Sequence, residues 1–267
     1  MRQKLLFFSA LFICTSTFSQ ISDPVKVTHI ANSGYFIELN NKNILIDAVF
    51  NDRTNNSNYP DSLFFNNLLN AKSPFNKLDF VLVTHIHTDH ISDSLIIELL
   101  KKRDDFDLII PKQVNTLLEK RADISKYKDR IHSIDIDNAE ITQIKISNTT
   151  FDIARSKHAD TYDIENLCYI INDNGFRILH TGDCWPVSIL DINKKYFNNV
   201  DLAIIPIALG KDKFVTYKSI IKPRYTLISH VNKDLARNIR EIMKNDKITF
   251  EKMDIILEHY EQRLYKR

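Results

Sequence analysis

Along most of the chain the apolar positions come in short runs bounded by Asn, Asp, Ser and Gly, not in long stripes at helical spacing. Residues 25–30, 34–39 and 44–46 read as strands, with Asn40-Asn41 as a hairpin turn between the last two. A polar, Asn-rich loop over 51–61 follows, and Asp61 is placed to cap a helix over 62–69. Phe80-Val81-Leu82-Val83 is continuously apolar, the mark of a strand covered on both faces. Further strands are predicted at 108–110, 141–146, 150–154, 167–171, 177–179, 202–205 and 225–229. Helices are predicted at 92–102, 112–121, 185–195 and 234–244.

Strands dominate each half, and helices follow them. That order predicts an α+β fold, a sandwich of two mixed sheets with helices outside. The 267 residues suit a single layered domain with a sizeable core, and no linker divides them. No short repeat or low-complexity stretch is visible. Glycine is scarce, with only Gly34, Gly175, Gly182 and Gly210, so each marks a turn or a close backbone approach.

The first residues change the picture. Met1-Arg2-Gln3-Lys4 is basic, the run over 5–14 is apolar, and small residues follow at Thr17 and Ser19. This is the pattern of a secretory signal peptide over 1–19, cleaved after Ser19 and leaving a mature domain over 20–267. The apolar run is well short of the ~20 residues that span a bilayer, and no later stretch is long enough either. The protein is therefore expected to be exported, periplasmic or secreted, with no transmembrane segment in the mature chain. Loss of Arg2 and Lys4 takes the formal charge from +2 to zero, which argues against a nucleic-acid partner. Cys168 and Cys184 remain, and are expected to be free, buried thiols.

The strongest chemical signal is Thr84-His85-Ile86-His87-Thr88-Asp89-His90, directly after the buried strand over 80–83. At a strand end, alternate residues such as His85 and His87 share a face. A turn into the following helix can bring Asp89 and His90 back over the same spot. Imidazoles with a carboxylate suit zinc, iron or manganese, and a cluster of ionisable groups needs partners or a metal. His158, Asp183 and His230 each lie at or just beyond the end of a predicted strand. Residues converging from separate strand ends are how a rigid scaffold builds a site.

Taken in order, these motifs resemble those of the metallo-β-lactamase superfamily over about residues 25–244. Asp47, ending Ile44-Leu45-Ile46-Asp47, matches its first motif; His85, His87, Asp89 and His90 match the second; His158, Asp183 and His230 match the third, fourth and fifth. Thr28-His29-Ile30 with Ser33-Gly34-Tyr35 resembles the ascorbate-6-phosphate lactonase-like branch and the similar N-acyl-phosphatidylethanolamine phospholipase D-like branch. The resemblance implies an αββα sandwich with the site at one edge of the two sheets. It implies that His85, His87 and His158 bind one metal ion, that Asp89, His90 and His230 bind a second, and that Asp183 bridges them. Asp47 would support the metal loop through hydrogen bonds.

The implied cofactor is a pair of divalent ions, zinc first, with Mn2+ or Fe2+ as the other candidates. The implied chemistry is hydrolysis by a hydroxide on the metal pair, with Asp89 as the catalytic carboxylate that orients the nucleophile and passes a proton to the leaving group. The first reading of the substrate is a small molecule or lipid with an ester, lactone or amide bond. A phosphodiesterase acting on a lipid or nucleotide is the second. A mononuclear iron dioxygenase and a non-catalytic binding protein on the same fold complete the set. His29 and the charged run Lys211-Asp212-Lys213 are candidate substrate neighbours, while His132, His180 and His259 read as structural.

Overall fold

The computed structural model describes residues 24–52, 59–158, 163–185, 188–206, 217, 219–231, 233–245 and 251–266. The expected leader over 1–19, most of the Asn-rich loop, and the Lys211-Asp212-Lys213 run lie outside the described residues. Two seven-stranded mixed sheets form the centre of the molecule. The first contains β1 (Val25–Ala31), β2 (Gly34–Leu39), β3 (Lys42–Ile46), β4 (Phe80–Leu82), β5 (Asp107–Pro111) and β6 (Ile131–Ile134). The second contains β7 (Ile141–Ile146), β8 (Thr149–Lys157), β9 (Glu165–Asp173), β10 (Phe176–His180), β11 (Leu202–Pro206), β12 (Tyr225–Ser229) and β13 (Met253–Ile255). The last strand, β14 (Gln262–Tyr265), returns to the first sheet beside β1.

The alternation of side chains explains the layers. Tyr35, Ile37, Ile44, Ile46, Phe80, Leu82 and Ile109 from the first sheet meet Phe151, Ile153, Tyr169, Ile171, Ile178, Ile204 and Leu227 from the second. The intervening residues of the first sheet, among them Phe36, Leu45, Val81, Leu108 and Ile110, pack beneath α1 (Ser62–Leu69), α2 (Asp93–Lys102) and α3 (Lys112–Arg121). Cys168, Ile170, Leu179, Ala203, Ile205 and Ile228 do the same under α4 (Ser188–Asp191) and α5 (Lys233–Asn245). Strands covered on both faces must be apolar at every position, which is why the central runs do not alternate with polar residues. The result is the helix–sheet–sheet–helix sandwich read from the sequence.

Local signals are met in detail. Asn40 and Asn41 both adopt positive φ (46° and 65°), as a two-residue hairpin requires. Asp61 Oδ1 accepts the backbone N–H of Phe64 at 2.7 Å and caps α1. Two expectations need correction. The stretch over 185–195 is not one helix: α4 is short and a 3-10 turn, Lys194–Phe197, follows it. Asn193 accepts the N–H of Lys195 and starts that separate turn, breaking the run. Strands β6, β13 and β14 were not foreseen, because all three lie at sheet edges and are short, β13 having only three residues. Among the described residues no helix is long and apolar enough to cross a membrane.

One tie between the sheets bears directly on the His-rich loop. The Tyr169 hydroxyl, fully buried, donates to Val83 O at 2.8 Å and lies 3.3 Å from Ile109 O. Val83 is the last residue before Thr84 and His85, so the second sheet grips the first where the loop departs. Tyr169→Phe is expected to lower the unfolding free energy by about 1–2 kcal/mol. Urea denaturation checks this, and an unchanged midpoint would show that the hydroxyl contributes nothing.

Candidate metal centre

The seven candidate ligands, spread along the chain from His85 to His230, meet at one end of the sandwich. His85 and His87 follow β4; Asp89 and His90 lie in the turn before α2; His158 ends β8; Asp183 follows β10; His230 follows β12. Their donor atoms fall into groups of three in which every atom lies within 4.8 Å of the others. One group is His85, His87 and His158, and another is Asp89, His90 and His230. Asp183 joins His85 and His90 in a third, between the first two. Its Oδ2 is 3.3 Å from His230 Nε2, 3.5 Å from His90 Nε2, 3.7 Å from His158 Nε2 and 3.9 Å from His85 Nε2.

The backbone beneath is built to aim these groups. Asp47 directly follows β3, with its side chain fully buried and φ at +47°. Its Oδ1 accepts the N–H of Thr84 at 2.8 Å, and its Oδ2 accepts the Thr84 hydroxyl at 2.6 Å and His90 Nδ1–H at 2.9 Å. The Thr84 hydroxyl donates its proton to Asp47, so it can only accept from His85 Nδ1, 3.0 Å away. One carboxylate thus fixes the Nδ1–H tautomer of two imidazoles and leaves their Nε2 atoms for a metal. Gly182, at φ +57°, passes so close that a Cβ there would strike Asn166 Oδ1 and come within 2.8 Å of Thr84. Gly34 is equally confined, since a Cβ would lie 2.6 Å from Asp47 O.

Sequence reading missed two supports. Asn166 accepts the N–H of Asp183 at 3.1 Å and donates to Thr181 O at 2.9 Å, holding the Asp183 turn. Asn32 donates to Asp89 Oδ2 at 3.0 Å. An Asn inside an otherwise apolar strand was the available signal for the first, and the second carried none. His29 does not reach the cluster: its ring nitrogens face Glu258 O and Asn32 O. His180 fastens the loop, accepting from Gly182 N and donating to Ser33 O. His132 pairs with Asp107 on a sheet edge, far along the chain from the cluster. Cys168 and Cys184 are free and buried.

A beta-lactamase superfamily domain model matches residues 42–254, more than half of the chain. The chain belongs to the metallo-β-lactamase superfamily. Relatives named UPF0173 metal-dependent hydrolase include those of Pyrococcus furiosus, 26% identical over 78% of this chain and 85% of the relative, and Thermococcus onnurineus, 24% identical with the same coverage. Solved structures share the fold. The metallo-β-lactamase fold protein YhfI of Bacillus subtilis covers 91% of this chain and 100% of its own, with a TM-score of 0.60 at 18% identity. An isothiocyanate hydrolase from Delia radicum gut bacteria gives the same coverage, with 0.62 at 15% identity.

The metallo-β-lactamase cluster has the electrostatics of a cation site. Burial, reinforced by the charge on His90, holds the His85 imidazole well below its ordinary pKa. Burial opposes charge on His90 too, yet Asp183 and Asp47 raise it well above its usual range. Burial works against ionisation of Asp183, but His230 and His90 keep its carboxyl well below the carboxylate range. Asp89 is brought to about 2 against the pull of burial, chiefly by its hydrogen bond from His230. Two ionised carboxylates and a ring of imidazoles therefore face one another. Asp183 Oδ1 and His90 Nε2 are buried with no hydrogen-bond partner among the described residues. Orphaned buried polar atoms are costly, and a cation between them would remove that cost. The donor set of histidine and aspartate fits zinc, manganese or iron.

Asp47→Asn would put an amide N–H2 where three donors converge. It is expected to weaken Zn2+ binding by about 10–100-fold with the fold retained. Competition with a chromophoric chelator measures this, and circular dichroism monitors the fold. Unaltered affinity would remove Asp47 from the support of the site.

Proposed function

We propose that the protein is an exported metal-dependent hydrolase that cleaves an ester, lactone or amide bond in a small molecule or lipid. The observation that carries the reading is the convergence of His85, His87 and His158 beside Asp89, His90 and His230, with Asp183 between them. Relatives named metal-dependent hydrolase over most of the chain support it. In this reading His85, His87 and His158 would hold one divalent ion and Asp89, His90 and His230 another, with Asp183 a ligand within reach of both. When bound, the pair would supply Lewis acidity and a water acidic enough to ionise near neutral pH.

The chain's own residues do the rest. Asp47 and Thr84 keep the imidazoles of His90 and His85 in one tautomer, so no reorganisation is needed during turnover. Asp89 is anionic and partly exposed, with 18% of its side chain accessible, so it faces the cluster and is open to solvent on one side. A carboxylate of such low pKa is a weak base. Its role is first to orient the attacking water and then to carry the proton to the leaving group. His230, 3.4 Å from Asp89 Oδ2, holds that carboxylate toward the reacting centre. No serine or cysteine nucleophile is required, and Cys184 is turned into the core.

His87 is half-buried at the rim, so its removal should spare the fold. His87→Ala is expected to reduce turnover of nitrophenyl esters and lactones by more than the 10–100-fold typical of supporting residues. EDTA should abolish activity and Zn2+ or Mn2+ restore it. Wild-type rates in His87→Ala, or full activity in EDTA, would sink the metal hydrolase reading. Faster cleavage of bis-nitrophenyl phosphate than of any ester or lactone would move the substrate to phosphodiesters. Export is checked separately: the intact mass of the periplasmic or secreted protein should correspond to a chain starting at Gln20, and retention of residues 1–19 would contradict it.

A further inference from the structure

Asp89 has a partner outside the histidine and aspartate cluster. The turn between β1 and β2 carries Asn32, which is 7% exposed and held at φ +44°. Its Nδ2 donates to Asp89 Oδ2 at 3.0 Å and lies 3.5 Å from Asp89 O. The same Oδ2 faces His230 Nε2 at 3.4 Å and His90 Nε2 at 3.8 Å. Asn32 therefore approaches this carboxylate as an additional, neutral donor beside two imidazoles.

The arm that presents Asn32 is itself fastened by three histidines that no ligand role accounts for. His29 Nε2 lies 3.3 Å from Asn32 O, and its Nδ1 lies 3.2 Å from Glu258 O. His180 donates to Ser33 O at 3.1 Å. His259 Nδ1 donates to Ile30 O at 2.5 Å. Ser33 O is thereby tied to β10 and Ile30 O to the β13–β14 connection, while the single N–H of neutral His29 serves either Asn32 O or Glu258 O. Rigid fastening of this kind is what a side chain needs if it is to hold another group in one rotamer.

We propose that Asn32 is a positioning residue for Asp89. Its amide N–H occupies one lone pair of Oδ2 and stops rotation of the carboxylate about Cβ–Cγ. The remaining lone pairs are then directed at His90, His230 and the reacting centre. An unsupported Asp89, open to solvent on one side, would sample orientations in which neither oxygen faces its imidazoles. The inference rests on the reading that Asp89 serves the second ion.

Two variants separate the donor from the backbone it sits on. Gly tolerates φ +44° without strain, so Asn32→Gly removes the amide and keeps the turn. Asn32→Asp keeps the shape but replaces the donor with a second carboxylate against Asp89. Zn2+ binding, read by chelator competition, should show the weaker of two ions loosened about 10–100-fold in Asn32→Gly and the tighter one unchanged. The urea midpoint of the metal-free protein should not move, and kcat on the best ester or lactone should fall while KM stays within about twofold. Asn32→Asp should be at least as impaired as Asn32→Gly. Asn32→Gly with wild-type affinity for both ions would overturn the inference alone. So would Asn32→Asp behaving like wild type, or loss of both ions together with a lowered midpoint, since either makes the role one of shape or folding. A wild-type protein that binds no second ion would instead overturn the metal reading, and this inference with it.

Discussion

The site depends on one buried carboxylate. Asp47 is stripped of solvent, and an ionised carboxylate in that position costs several kcal/mol unless donors surround it. Thr84 N–H, the Thr84 hydroxyl and His90 Nδ1–H are those donors. Meeting this demand fixes the path of the chain after β4, because Thr84 can satisfy both oxygens only if the strand ends where it does. It also fixes which nitrogen of His85 and His90 carries the proton. The burial of Asp47 and the aim of the donor atoms are thus one structural fact. Gly182 and Gly34 are small for the same reason: a methyl group at either would push against Thr84 or Asp47 and disturb that arrangement.

Above Asp47 the balance of charge is left deliberately incomplete by the fold. Asp183 lies within 4 Å of four imidazoles, and burial denies all of them full hydration. Asp183 and the neighbouring carboxylates favour charge on His90 and His230, while burial disfavours it on His85. Holding these like groups in contact takes a rigid frame. That frame is the pair of sheets. Parallel pairing of β3–β4–β5 and of β10–β11–β12 brings their C-terminal ends to one rim, and Asp47, His85, Asp183 and His230 all follow such ends.

Much of this was legible from residues alone, for identifiable reasons. His85, His87, Asp89 and His90 are close in sequence, and a strand followed by a helix has few ways to turn, so their meeting follows from local geometry. The layered fold was legible because runs such as Leu202–Pro206 are apolar at every position, which only a strand covered on both faces needs. His158, Asp183 and His230 were legible only as an ordered set matching a known family, since no local rule brings β8, β10 and β12 to the same rim. Asn32 and Asn166 escaped because a buried amide leaves no periodic trace. Its value lies in a partner distant along the chain, 57 positions away for Asn32 and Asp89. Strands β6 and β14 escaped because an edge strand exposes one side and can be polar there, as Ser133 and Gln262 show by their exposure.

The backbone around the site shows where that aiming is costly. Asn32, Asp47, Gly182 and His230 all have positive φ, between 44° and 57°. For residues with a Cβ this conformation is uphill by roughly 1–2 kcal/mol each. Each lies where a strand has just ended and its chain must reverse so that a side chain or carbonyl points back at the rim. Asn and Asp tolerate the left-handed region through local hydrogen bonding, and His, as at His230, is also enriched there. Its imidazole, set 3.3 Å from Asp183 and 3.4 Å from Asp89, is held there by the two carboxylates. Strain concentrated at the rim while the strands beneath stay regular is the arrangement expected when the scaffold is stable and the site is not optimised for stability. It follows that the ligand groups, not the strands, should be the first part of the molecule to loosen when metal is withheld, with His230 ahead of His85 because only His85 is fully buried and anchored through Thr84 to Asp47.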